Sequence, residues 1–345
     1  MPTSLVVQRE ISRLQIPSFY PHPLLRGGHR QTVAGVYWPK VRVPYSAVQH
    51  VVALDDGDHI VLHDDRPDDW REGDRCALLI HGLGGSYLSP YLVRLVQKLN
   101  VRGVRTFRMD MRGAGAASSL ASGPGHAGRS GDVAASLNQI AWRCPGSPVT
   151  AVGFSLGGNL VLKLVGELGS RTCGGLDSAM AAAPPIDLLE CSRNIGRGSN
   201  KLYDRAFVRA LLRILRQTQR AASARVPISL SRRPRSLQEF DDRVTAPLGG
   251  FADAQDYYAR SSSGPLLKNV CVPTLILTAG DDPLIPRVIF DRHARSAAIQ
   301  FHSEPFGGHV GFIGRRATDP DRFWLDWRVI EWIEHVARAA INHEM

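Results

Sequence analysis

The stretch VTAVGFSLGGNLVLKLVGE, Val149 to Glu167, passes from an apolar run through a serine set among glycines into a second apolar run. Val149, Ala151, Val152 and Phe154 read as a buried strand. Leu160, Val161, Leu164, Val165 and Leu168 recur at i, i+1, i+4, i+5 and i+8, which is one face of a helix. The joint between them, Gly153-Phe154-Ser155-Leu156-Gly157, fits G-x-S-x-G. The bare pattern is common, and the strand before it and helix after it are what give it meaning. A turn that sharp would drive side chains at its outer positions into neighbouring backbone. Glycine at both, Gly153 and Gly157, removes the collision. The turn leaves Ser155 Oγ exposed at the positive end of a helix, where a nucleophile belongs.

Outward from this joint, short apolar runs alternate with helical patterns. CALLIHG, GVRTFRMD, SPVTAVGF, SAMAAAP, PTLILTAGDDP and AIQFHSEPFGGH read as strands. Helices are expected over Pro90–Leu99, Asp132–Trp142, Asn159–Leu168 and the final WRVIEWIEHVARA. Upstream, HVVALDDGDHIVLHDDRP reads as a hairpin around an Asp-Asp-Gly turn. Strand and helix in alternation predict an α/β fold, with a mostly parallel central sheet flanked by helices. The chain is expected to be a single domain over 1–345, with a leading extension of about 1–66. The interval of about 186–263 breaks the alternation and reads as a helical, arginine-rich cap insertion.

A serine hydroxyl needs a base to act as a nucleophile near neutral pH. On this type of scaffold the chain order is serine, acid, histidine. The apolar strand of TLILTAGDDPLIP ends in Asp281-Asp282, where catalytic groups gather at strand carboxyl ends. Asp282, in a D-P-x-x-P context, is the first choice of acid, and Asp281 the second. His309, in the glycine-rich loop EPFGGHVGF, is the expected base; its rival His302 sits within a strand. Two backbone N–H groups should face the oxyanion of a tetrahedral intermediate. Leu156, next after the serine, supplies one, and Leu83, in the loop His81–Gly85, the other. His81 is expected to brace that loop. No cofactor or metal ion is called for, and the five scattered cysteines form no CxxC pair.

Of the 345 residues, 43% are hydrophobic and 21% charged, ordinary for a chain that buries a sizeable core. The net charge of +10 is concentrated: Cys191–Arg235 holds twelve basic residues and one acidic one, Asp204. Within it Arg205, Arg209, Arg213, Arg216 and Arg220 span an arc of roughly 80° at about 100° per residue, opposite Phe207, Leu211, Ile214 and Leu215. Two readings follow: a cap helix with a solvated arginine face, or a helix that also touches an anionic membrane. No nucleic-acid motif accompanies the charge, so a nucleic-acid partner is not expected. Scattered thiols, and an N-terminus broken early by Arg9 and Glu10, fit a cytoplasmic protein.

Several segments carry a family resemblance: FYPHPLLRGGHRQTV with His29, Gln31 and Thr32, then HGLGGSYLSPY, DMRGAG, HAGRSGDV, VGFSLGGNLVLK, FDDRVTAPLGGFADAQDYYARSSS, AGDDPLIP and GGHVGF. In order and spacing the chain resembles the YheT-like branch of the α/β-hydrolase fold, which includes the ABHD1, ABHD2 and ABHD3 group of eukaryotic lipid hydrolases. The resemblance implies a Ser155–Asp282–His309 esterase or lipase acting on short- to medium-chain carboxylic esters, acylglycerols and phospholipids among them. Eukaryotic members carry an N-terminal membrane helix, and no apolar run of that length is present. Acyl transfer by the same triad is the nearest alternative. A non-catalytic module that binds membrane or protein through the basic cap is a more distant one.

Overall fold

The computed structural model describes residues 12–38, 44–220, 230–316 and 319–344. Arg9 and Glu10 of the N-terminus, and Arg225 of the basic segment, lie outside them.

One sheet organises the chain. Its strands are β1 (Val48–Ala53), β2 (His59–Asp65), β3 (Cys76–Ile80), β4 (Arg105–Asp110), β5 (Val149–Phe154), β6 (Leu176–Ala182), β7 (Thr274–Ala279) and β8 (Ile299–Glu304). They lie in the order β1-β2-β4-β3-β5-β6-β7-β8. The hairpin β1–β2 joins β4 antiparallel, and every pairing from β4 through β8 is parallel. Every residue of β3, β4, β5 and β7 is buried, as expected for strands covered on both faces.

The helices are α1 (Gly28–Tyr37), α2 (Pro90–Asn100), α3 (Ser130–Arg143), α4 (Leu156–Leu168), α5 (Leu188–Ile195), α6 (Lys201–Arg220), α7 (Leu237–Phe240), α8 (Ala246–Gly249), α9 (Ala254–Ser261) and α10 (Trp324–Glu344). Alternation along the strands divides the core in two. Ala77 and Leu79 of β3 pack with Leu92 and Leu95 of α2 and Val329 and Ile330 of α10. Cys76, Leu78 and Ile80, pointing the other way, pack with Val133 and Leu137 of α3 and Leu160 and Leu164 of α4.

Between β6 and β7 come α5 to α9, with a π-helical turn, Asp241–Thr245, joining α7 to α8. Val208, Leu211, Leu212 and Leu215 of α6 form a separate small core with Phe240 and Val244. The arginines Arg205, Arg209, Arg213, Arg216 and Arg220 lie on the exposed side of α6. The leading segment is more than a tail: it contributes α1 and an edge of the sheet.

Two motif segments find structural explanations here. Asp110 of DMRGAG accepts Tyr87 N–H at 2.7 Å and Ala116 N–H at 2.8 Å, and pairs with His63 at 2.9 Å. Arg112, buried, makes a two-pronged pair with Asp132 of HAGRSGDV and a bond to Asp56 at 2.6 Å. The carboxylates around Arg112 more than offset its burial, so its pKa is raised further above the usual guanidinium value.

Candidate active site

Ser155 sits where β5 turns into α4, with φ of 52° and ψ of −118°. Non-glycine residues rarely adopt positive φ, and such strain collects at functional turns. The glycines on either side allow it. A side chain at Gly153 would strike the carbonyl of Gly157, and one at Gly157 would come within 2.6 Å of the Ile80 carbonyl oxygen. As the first residue of α4, Leu156 has an N–H with no helical acceptor.

The loop after β7 carries Asp282, whose side chain is buried. Its Oδ1 accepts the N–H groups of Leu284 at 2.8 Å and Ile285 at 3.1 Å. Its Oδ2 meets His309 Nδ1 at 2.9 Å. The other ring nitrogen, His309 Nε2, lies 2.8 Å from Ser155 Oγ. With Nδ1–H donated to a carboxylate, the neutral imidazole turns its Nε2 lone pair toward the serine hydroxyl. Serine, imidazole and carboxylate thus form one continuous hydrogen-bonded chain.

Asp281 takes a different part. Its Oδ1 accepts Gly308 N–H at 2.8 Å, so it ties the turn to the histidine loop. Burial, and the neighbouring Asp282, raise its pKa above the usual carboxylate value. His302 is turned to Glu304, at 2.7 Å. His81 spends both nitrogens on backbone: Nδ1–H donates to the Gly82 carbonyl at 2.8 Å and Nε2 accepts Met111 N–H at 3.3 Å. Burial lowers its pKa below the usual imidazole value. The loop it braces comes up against the serine, since a side chain at Gly82 would be 3.1 Å from Ser155 Cβ. Leu83, Leu156, Ser155 and His309 line the same cavity.

That cavity holds about 690 Å³, part of it open to solvent. Its walls are mainly apolar, with Leu188 and Ile195 of α5, Phe207 and Leu211 of α6, Leu237 of α7 and Ile285 among them. One buried carboxyl, Asp241, interrupts them at the π-helical turn. It accepts Thr245 Oγ1–H at 2.7 Å and Tyr258 Oη–H at 2.8 Å. Burial pushes its pKa up to about 7 despite those two donors. Nothing in the local pattern FDDRVTAP singles out Asp241, because its neighbour Asp242 is exposed. Asn159 on α4 donates to the carbonyls of Ala127, in the loop before α3, and of Ser261, and accepts Ser263 N–H, so it ties the elbow helix to that loop and to the end of the cap.

The profile of the alpha/beta hydrolase fold family matches residues 78–314. The chain belongs to the α/β-hydrolase fold family. Within it, this hydrolase is 30% identical over 313 residues to YheT of Escherichia coli (strain K12), which carries an esterase name, across 88% of this chain and 86% of that protein. It is 26% identical to the phospholipase ABHD3 of Mus musculus over 75% of this chain. The match covers 64% of that longer relative, just under two-thirds of its length. Among solved structures, Est1E from Butyrivibrio proteoclasticus aligns with a TM-score of 0.52 at 16% identity, over 85% of this chain and all of that one. This likeness is one of fold. The family assignment makes the chain an esterase- or lipase-type hydrolase of the YheT-like branch. Among the described residues no helix is long and apolar enough to cross a membrane, and no group of three or more His, Cys, Asp or Glu could hold a metal ion.

Proposed function

We propose that the protein is a serine carboxylesterase working through an acyl-enzyme on Ser155. The observation that carries this reading is the chain Ser155 Oγ, His309 Nε2, His309 Nδ1, Asp282 Oδ2, with links of 2.8 and 2.9 Å. Ser155 Oγ attacks the ester carbonyl carbon as its proton passes to His309 Nε2. Asp282 holds the imidazole in the required tautomer and stabilises the imidazolium, without taking the proton. The carbonyl oxygen, now anionic, is received by the N–H groups of Leu83 and Leu156. Collapse breaks the bond to the alcohol oxygen, which leaves with the proton from His309. Water, deprotonated by His309, then attacks the acyl carbon and releases the carboxylic acid and free Ser155.

The apolar walls of the cavity beside Ser155 fit an acyl chain. Related proteins named as an esterase, a phospholipase and the monoacylglycerol lipase of Saccharomyces cerevisiae support carboxylic esters, acylglycerols and phospholipids as the substrate range. In this reading residues 1–345 form one hydrolase domain, with about 186–263 as its cap and about 1–66 leading into it. The exposed arginines of α6 support contact of the cap with an anionic membrane surface.

A series of p-nitrophenyl esters of increasing acyl length tests the substrate class. Turnover should peak at short or medium chains. Absence of turnover across the series would remove the esterase reading, and rates that climb to the longest chains, with activation at lipid interfaces, would replace it with a lipase.

A further inference from the structure

The leading segment His29 to Thr32 takes no part in the chemistry above, yet its helix touches both the acid turn and the base loop. Positions 28, 31, 32 and 35 of α1 recur at i, i+3, i+4 and i+7, and so share one helical face. That face carries Gly28, Gln31, Thr32 and Gly35, where an amphipathic helix would carry large apolar residues. The two glycines let backbone meet backbone. A side chain at position 28 would run into the carbonyl oxygen of Asp281, and one at position 35 would sit 3.0 Å from Gly311 Cα.

Between the glycines, two polar side chains grip the His309 loop. Thr32 Oγ1 accepts the backbone N–H of His309 at 2.9 Å and donates its own hydrogen to the Gly28 carbonyl at 2.8 Å. Gln31 is fully buried. Its Oε1 accepts Ile313 N–H at 2.8 Å, while Nε2 donates to the carbonyls of Ile313 at 3.0 Å and Leu25 at 2.9 Å. The amide therefore pairs with Ile313 as a neighbouring strand would. The two grips bracket Val310 and Phe312, which hold φ of 59° and 43°. Non-glycine residues stay in that region only where their surroundings impose it.

The geometry points to Thr32 and Gln31 as positioning residues that hold His309 in register with Ser155 and Asp282. The inference rests on reading His309 as the general base. It adds a role for a helix 277 residues away in sequence, whose contact with the base is through backbone. The same helix is tied to the cap. His29 Nδ1 lies 3.1 Å from Tyr203 Oη, and the two rings stack with centroids 5.7 Å apart.

Three variants test this: Thr32→Val, which keeps the shape and loses the hydroxyl; Thr32→Ala, a second hydroxyl-free form should the first fold poorly; and Thr32→Ser, which keeps the hydroxyl. Steady-state kinetics with p-nitrophenyl butyrate and a thermal melt are measured for each. The expected result is a fall in kcat of roughly 10- to 100-fold for the hydroxyl-free variants, the scale of a misplaced catalytic group. KM and Tm should stay near wild type, and Thr32→Ser should return to within about threefold of wild-type kcat, as its hydroxyl restores the bond. Wild-type kcat in a hydroxyl-free variant would overturn the inference, as would equal losses in Thr32→Ser, or a loss carried by KM. An active wild type is the control. If the wild type turned over no ester, the esterase reading would fall first and this one with it.

Discussion

The floor of the site and the cap above it meet at Ser155 and are built in contrasting ways. On the floor, backbone abuts backbone or grips a carboxylate. Gly157 abuts the Ile80 carbonyl, Asp282 is gripped by two N–H groups, and Gly308 donates to Asp281. In the cap, side chain is set against side chain, with six apolar residues forming a core of their own and arginines facing outward. Positions fixed by backbone contact and positive φ leave little room for substitution. Apolar side-chain clusters accept volume-conserving changes at a cost usually under about 1.5 kcal/mol. In the proposed reading, chemistry belongs to the floor and substrate choice to the cap.

The largest effect is expected on the floor, between two adjacent carboxylates. Asp282→Asn should lower kcat by roughly 10³- to 10⁴-fold, because an amide in contact with Nδ1 no longer enforces the productive tautomer. Asp281→Asn, which touches the histidine only through the Gly308 backbone, should cost less than about tenfold, the scale of one peripheral hydrogen bond. Matched kinetics on the pair measure this, and equal losses would erase the distinction between them. The Thr32 variants fall between these two. The smallest effect belongs to the outer face of the cap. Replacing Arg209, Arg213 and Arg216 together by Gln should leave turnover of a soluble ester unchanged. In flotation with phosphatidylglycerol vesicles it should weaken binding by about fivefold per arginine. Flotation that ignores both the substitutions and added salt would leave the arginines as a solvated face.

The floor was the legible part of the sequence. Its central strands β3, β5 and β7 are largely apolar runs, and Ser155 and Asp282 follow the ends of β5 and β7, while His309 follows the more polar β8 in a glycine-rich loop. The match of G-x-S-x-G to a strand–helix joint is local, and local order survives in sequence. The role of α1 was not legible in this way. Its working face is Gly28, Gln31, Thr32 and Gly35, with no apolar stripe for periodicity to detect, and its partners lie near the far end of the chain. Asp241 was hidden for a related reason. Its burial comes from cap helices folding around a π-helical turn, and an Asp-Asp pair in sequence does not tell which member faces inward. The pairing of Arg112 with Asp132 likewise joins two segments recognisable only as motifs, without a reason until the sheet brings them together.

In the proposed mechanism Ser155 is a nucleophile activated by its place in the chain to His309 and Asp282. The most direct test of that activation is labelling of the intact protein with a fluorophosphonate probe, followed by mass spectrometry of the modified peptide. A single adduct on Ser155 is expected, formed rapidly in wild type and absent from Ser155→Ala. Wild-type protein that stays unlabelled, or a Ser155→Ala variant that labels as well as wild type, would contradict it.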